Sequence, residues 1–271
     1  MTVYIPENTL FPAEARYLAG RDGLTCADAA QGAALSLGCN EPARTLCSDK
    51  HAAHDFFAAH ALPQPHDFPA GSEPFIVKPA NNTCGRGIWS TEDFCEAGGG
   101  INAGFLVQEE LRGPIFSVTF LGFNGQLFVC PAVELVMDDR YDRCGAVYPA
   151  AKDPAQAAEA LARQLGEALA LEGAMELKCV FSGGRAVIVS INEGIGALAA
   201  TALHFGADCD PIAALLALAE GREPVFGQRG CTVSLSVNGR ACGLRAAEDR
   251  TPLHDTDGGA ANGSTSLFIK L

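Results

Sequence analysis

The stretch FIVKPANNTCGRGIW, residues 75–89, decides how the rest of the chain is read. Phe75, Ile76, Val77 and Lys78 have the character of a buried strand. They run into Pro79, then into small and polar residues around Gly85 and Gly87, and apolar character resumes at Ile88 and Trp89. A hairpin turn needs glycine for its positive φ. A loop that closes over an anion needs glycine so that successive backbone N–H groups can approach the ligand. The loop leaves both readings open. Lys78 favours the second, because a lysine on a strand just ahead of such a loop reaches a phosphate as a point charge. Lys50 sits at the start of the preceding helix and is one of only five lysines in the chain. Two scarce cations flanking one lobe suggest a pocket, although the surface is the ordinary place for a lysine.

The bulk composition narrows the partners. With 48% hydrophobic and 19% charged residues over 271 positions, the chain has the means to bury a substantial core. Its formal charge of −13, without a run of basic residues, repels nucleic acid and anionic membranes. A small anionic ligand therefore requires a local positive pocket. No stretch approaches the roughly 18 uninterrupted apolar residues of a membrane span, and the first residues lack a basic start and an apolar core. The eleven cysteines include no C-x-x-C pair. An odd count without ligand spacing predicts reduced thiols, mostly small buried hydrophobes, in a cytoplasmic setting.

Outward from the loop, the pattern mixes hairpins and helices. A short strand over residues 3–5 and Ala-rich helical stretches precede a helix that starts at Ser48-Asp49 and stops near Leu62-Pro63. The Pro-rich connector 63–74 marks a lobe boundary. FLVQEEL (105–111) and IFSVTFLGF (115–123) read as strands, and Asn124-Gly125 is a hairpin signal leading into QLFVC. Residues 153–170 form the clearest helix, with Asp153 as cap, Pro154 in the first turn, and Leu161, Leu165 and Leu169 repeating every fourth residue. AMELKCV and RAVIVSIN form a hairpin through SGG (182–184), a last helix covers residues 211–220, and short strands fill residues 231–271. DGGAANGSTS (257–266) reads as a surface turn. Without regular βαβ alternation, the fold class is α+β.

A three-residue loop Ser182-Gly183-Gly184 would set Glu176 opposite Ser190, with Asn192 on the same face. An acid, a hydroxyl and an amide together can hold a hard cation; a solvated hairpin face is the plainer reading. His51, His54, His60 and His66 cluster around one helix but lack the Cys or carboxylate partners that complete a zinc site. Asp138, Asp139 and Asp142 lie in MDDRYDRC, where Arg140 and Arg143 make a self-neutralised loop the default.

The order of these elements resembles the ATP-grasp superfamily over about residues 45–205: SDK opening a helix that ends in ALPQP, FIVKP before a Gly-rich loop, FLVQEELRGPIFSV, and an acid-bearing strand paired with VIVSINEG. Within it, DDRYDRCGAVYPA and ALAATALHFGADCDPIAALL resemble the PylC ligases of pyrrolysine biosynthesis. The resemblance implies two α+β lobes with ATP between them: a shortened N-terminal segment 1–47, a small lobe 48–122 carrying the lid loop, and a large lobe 123–271. It implies that Lys50 and Lys78 bind nucleotide, with Thr83, Cys84, Gly85 and Gly87 over the phosphates, and that Lys78 and Arg86 act in catalysis. It further implies that Gln108, Glu109, Glu110 and Leu111 read adenine and that Glu176 and Asn192 ligate Mg²⁺. Asp139, Asp142 and Thr201 would contact substrate. The chemistry implied is ATP-dependent amide formation between two amino acids through an acyl phosphate, joining a D-ornithine-type carboxyl to the side-chain amine of L-lysine. Amino-acid substrates are the partners expected, with no nucleic acid or membrane; a homo-oligomer or a pathway partner stays open.

Four departures qualify that pattern. Ser190 stands where the family usually has a metal-bridging Glu. Gly194 stands where it has an Arg, and Pro114-Ile115 replaces an acid beside Gly113. The segment ahead of Ser48 is short for the Rossmann-like lobe that usually comes first. Two readings follow: a working amino-acid ligase, or a weakened ATP-grasp domain that binds a nucleotide, an amino acid or a protein without turnover.

Overall fold

The computed structural model describes residues 2–4, 25–27, 35–36, 38–67, 74–81, 88–90, 93, 104–137, 143–207, 209–227, 233–237 and 266–270. Three sheets organise them. Strands β1 (Thr2–Tyr4), β2 (Thr25–Ala27) and β3 (Leu35–Ser36) pair in parallel, in the order β2-β1-β3. Of these strands, the sequence reading places only the first. The second sheet is antiparallel, with β4 (Phe75–Pro79) between β5 (Trp89–Ser90) and β6 (Phe105–Glu109).

The third sheet has eight strands: β7 (Ile115–Phe123), β8 (Gln126–Val129), β9 (Val133–Met137), β10 (Arg143–Tyr148), β11 (Gly173–Ser182), β12 (Arg185–Glu193), β13 (Val233–Val237) and β14 (Ser266–Lys270). Its order is β12-β11-β7-β9-β10-β13-β14, with β8 paired to β7. The Asn124-Gly125 turn, with both residues at positive φ, joins β7 to β8 as the sequence predicts. Strand β7 belongs to this large sheet, so the break between the two sheets falls at residues 110–114. Pairing of β7 along β11 over eight residue pairs is what draws it there.

Helices α1 (Glu41–Ser48) and α2 (Lys50–Ala59) are separated by Asp49 alone. Asp49 ends one and caps the next, its carboxylate accepting from the backbone N–H groups of His51 and Ala52. Helix α3 (Lys152–Ala168) starts from Ala151, so Asp153 lies in the first turn and is not the cap. Its Leu161 and Leu165, together with Leu169 just beyond its end, are buried as expected. Helix α4 (Ala197–Gly206) escaped the sequence reading because its apolar residues fall all round it. Helix α5 (Pro211–Ala219) is capped by Asp210.

The large sheet is packed on both faces. Phe116, Val118 and Phe120 of β7 and Met175, Leu177 and Cys179 of β11 meet α3 on one face, with α1 and α2 completing that core. Leu121, Val133, Leu135, Ala146 and Ala174 meet α4 and α5 on the other. Strand alternation puts Ser117, Thr119 and Glu176 on this second face, all buried. Buried polar residues within a sheet face are the exception that points to a site. No helix among the described residues is long and apolar enough to cross a membrane.

Candidate active site

The hairpin β11–β12 differs from its expected register. Gly183 and Gly184, at φ +58° and +80°, make a two-residue turn that pairs Ser182 with Arg185. A bulge then inserts Val189 into β12, so Lys178 pairs with Ser190 and Glu176 with Asn192. Glu176 therefore lies opposite Asn192 and not Ser190. The bulge restores the parity that the shorter turn removes, and all four side chains share one face. Across β7 the same rows continue to Thr119 beside Glu176 and Ser117 beside Lys178.

Strand β12 is one of the two outer strands of its sheet, and at the bulge its backbone meets the small sheet. The Val189 carbonyl accepts from Lys78 Nζ at 3.2 Å, and the same ammonium donates to Gln108 Oε1 at 3.2 Å. Lys78 is buried, and burial first, then repulsion from Lys50, lowers its pKa to about 8. Lys50 Nζ donates to the Pro79 carbonyl at 2.7 Å, and burial lowers its pKa as well. An open cleft of ≈ 710 Å³, solvent-facing mouth included, lies between α2, the connector, the small sheet and the β12 edge. Its walls carry Lys50, Lys78, Gln108, Ser190 and Asn192. In a chain of net charge −13, two of five lysines converge on one cleft. That suits a polyanion.

Other expected residues fall outside the cleft lining. The Glu109 carboxylate accepts from the His66 backbone N–H, and the Glu110 N–H donates to the Pro74 carbonyl. Both thus fasten β6 to the connector. Leu111 follows them without lining the cleft, and Thr201 sits on α4. Thr83, Cys84, Gly85, Arg86 and Gly87 of the lid loop, Asp139 and Asp142, and the turn over residues 257–265 lie outside the described residues. The histidines do not gather: His54 lines the cleft and pairs with Asp67 at 3.1 Å, and no three metal-ligating side chains converge among the described residues.

Glu176 lies one strand inward from Asn192, buried. Its Oε1 accepts from Ser117 Oγ at 2.6 Å, and its Oε2 accepts from Asn192 Nδ2 at 3.0 Å and faces Lys178 Nζ at 3.3 Å. Burial raises its pKa, but Lys178, the Ser117 hydroxyl and Arg143 outweigh burial and hold it below the usual carboxylate value. Gly196, at the start of α4, has no room for a side chain, because a Cβ there would clash with Glu176 Oε1. Ser117 and Lys178 were missed by sequence reasoning. Lys178 was within reach, two residues past Glu176 on an alternating strand, whereas Ser117 is 59 residues distant.

Magnesium, expected at Glu176 and Asn192, does not fit this arrangement. The ion takes near-octahedral oxygen coordination and favours carboxylates. Here the one carboxylate already faces an ammonium and accepts two further hydrogen bonds. Asn192 turns its amide N–H toward Glu176, and Glu193 faces the other way, accepting from Arg44 Nε at 3.1 Å and Cys39 N at 3.2 Å.

Comparison with solved structures places this architecture. A chain from Archaeoglobus fulgidus assigned to the ATP-grasp superfamily aligns over 96% of the present chain and 79% of its own, with a TM-score of 0.63 and 15% identity. The chain has the ATP-grasp fold. The biotin carboxylase domain of Hydrogenobacter thermophilus 2-oxoglutarate carboxylase, solved with magnesium ADP and bicarbonate, aligns over 75% of the chain and 53% of its own at TM-score 0.58 and 13% identity. Among curated proteins, the 3-methyl-D-ornithine–L-lysine ligase of Methanosarcina acetivorans is 26% identical over 184 residues, 66% of this chain. The chain spans about half the length of that relative, 48%. No family model matches. The ATP-grasp fold places the small antiparallel sheet against the edge of the large one, and Lys50, Lys78 and Gln108 meet β12 at that junction.

Proposed function

We propose that the protein is an ATP-dependent carboxylate–amine ligase acting on amino acids, with ATP in the cleft between the small sheet and the β12 edge. The observation that carries this reading is the convergence of Lys50, Lys78 and Gln108 on the bulged edge at Val189. Lys78 has two of its three N–H bonds placed by Gln108 and Val189, which aims the ammonium. The third is uncommitted among the described residues and suits a phosphate oxygen. A substrate carboxylate would attack the γ-phosphate with loss of ADP. An amine would then attack the acyl carbon of the acyl phosphate and displace phosphate, and loss of a proton from nitrogen would leave the amide. The relative from Methanosarcina acetivorans supports a D-ornithine-type carboxyl and the side-chain amine of L-lysine as the pair to assay first. Within this reading, residues 82–87 are the phosphate lid, with Thr83, Cys84, Gly85 and Gly87 over the phosphates and Arg86 at the transferring group. Residues 108–111 flank adenine, and Asp139, Asp142 and Thr201 approach the amino acids. Free thiols agree with a cytoplasmic setting.

Ser190, Lys178 and Gly194 favour a second reading, a nucleotide-binding module without turnover. Calorimetric titration with ATP, followed by an ADP-release assay with D-ornithine and L-lysine, separates the two. Binding tighter than about millimolar, some −4 kcal/mol, together with amine-dependent ADP release supports the ligase. Binding without release selects the module, and absence of binding removes both.

A further inference from the structure

Lys178 was no part of the expected site, yet it holds the position from which a metal would neutralise Glu176. Its ammonium lies 3.3 Å from Glu176 Oε2, and its cross-strand partner is Ser190, a neutral residue beside the cleft. The side chains of Lys178 and Glu176 are 14% and 6% exposed, so the attraction is little weakened by water. The charge count is decisive. Glu176 contributes −1 and Lys178 +1, while Ser117, Thr119, Ser190 and Asn192 are neutral. Arg143 adds a further positive influence on the carboxylate. Among the described residues, a divalent ion placed against Glu176 would meet a cluster with no net negative charge, and it would have to displace a buried ammonium and leave it unpaired. Thr119 Oγ1 is buried without a hydrogen-bond partner. A neutral hydroxyl adds no charge to attract a cation.

We infer that the Glu176–Lys178 pair is a built-in substitute for a protein-held metal ion: the ammonium of Lys178 supplies the cation at this end of the cleft, and the chain holds no divalent ion on Glu176. This rests on the ligase or nucleotide-site reading for its purpose, since Ser190, the cross-strand partner of Lys178, lines the cleft that would take the triphosphate. The occupancy of Glu176 can be tested apart from that reading.

The probe is Mn²⁺ alone, titrated into the nucleotide-free protein and followed by the electron paramagnetic resonance signal of the free ion. Up to about millimolar Mn²⁺, wild type and Glu176→Gln should take up the same amount. Uptake by wild type that Glu176→Gln removes overturns the inference. Lys178→Gln combined with Ser190→Glu should gain one bound ion per chain, with affinity raised at least about tenfold, and adding Glu176→Gln should abolish the gain. A double variant that is folded by circular dichroism and still ignores Mn²⁺ also overturns it. Should that variant not fold, the wild-type comparison decides. Failure of ATP to bind refutes the nucleotide reading and leaves the Mn²⁺ result intact.

Discussion

Lys78 and Val189 are 111 residues apart, and the side-chain ammonium of one donates to the backbone carbonyl of the other across the junction of two sheets. The carbonyl belongs to the extra residue of a β-bulge, so the ladder's irregularity and the buried cation each account for the other. Lys78→Ala removes the cation and leaves Gln108 Oε1 without that donor. ATP affinity should fall at least about 100-fold, close to 3 kcal/mol. Calorimetry on the purified variant checks this, and unchanged affinity would place Lys78 outside the ligand site.

The lowered pKa of Lys78, about 8, gives a pH signature with a definite sign. Above pH 8 the unliganded protein loses this proton, whereas a bound polyanion favours the protonated form. ATP binding should therefore take up protons and weaken as pH rises from 7 to 9. Titrations in buffers of different ionisation enthalpy measure the uptake, and Lys78→Met should abolish it. For folding, the sign is opposite to that of a stabilising pair. The unfolded chain keeps its proton up to the ordinary lysine value of 10.5, so the Lys78 contribution becomes less unfavourable as pH rises from about 8 toward that value.

Glu193 ties the start of α1 to the end of β12, accepting from Cys39 N and Arg44 Nε. Glu193→Ala should cost about 1–2 kcal/mol. Most of that comes from the unpaired Cys39 N–H, because Arg44 is 45% exposed and its ion pair is screened. A thermal melt should register a fall of about 2–4 °C per kcal/mol, with ATP affinity unaltered. A loss of affinity equal to that of Lys78→Ala would return Glu193 to the ligand site.

Cys39, Cys47, Cys130, Cys144, Cys179 and Cys209 are free thiols, five of them buried. Burial pushes Cys179 up to about 12, and a neighbouring thiol with burial pushes Cys47 and Cys130 upward. These three should resist iodoacetamide in the native state and react after unfolding, as peptide mass mapping would show. Reducing agent should leave the melting temperature unchanged. A drop equivalent to about 2–4 kcal/mol would reveal a disulfide.

Legibility in the sequence followed the range of the cause. Asp49 announces a helix start, Asn124-Gly125 a hairpin, and Leu161, Leu165 and Leu169 a buried helical stripe, each through neighbours within a few residues. The site divides in the same way. Lys50 and Lys78 stood out because each sits at a recognisable point of a local element, whereas Gln108 was marked by resemblance alone. Val189 was not, because its bulge opens toward a lysine on another sheet, and no spacing within β12 encodes that. Thr201 was placed by resemblance to a stretch whose helical form its own uniform apolarity conceals.

An outer strand of the large sheet offers unpaired backbone groups to any extended chain that approaches it. In this protein the Ile188 N–H is taken by the Pro63 carbonyl and the Val189 carbonyl by Lys78. Two residues that shape the wall of the cleft thus have an edge donor and an edge acceptor of β12 already taken. A variant that empties the cleft of its lysine would also uncover an acceptor on an exposed margin. Loss of ligand binding and a new tendency to self-associate should then arrive together.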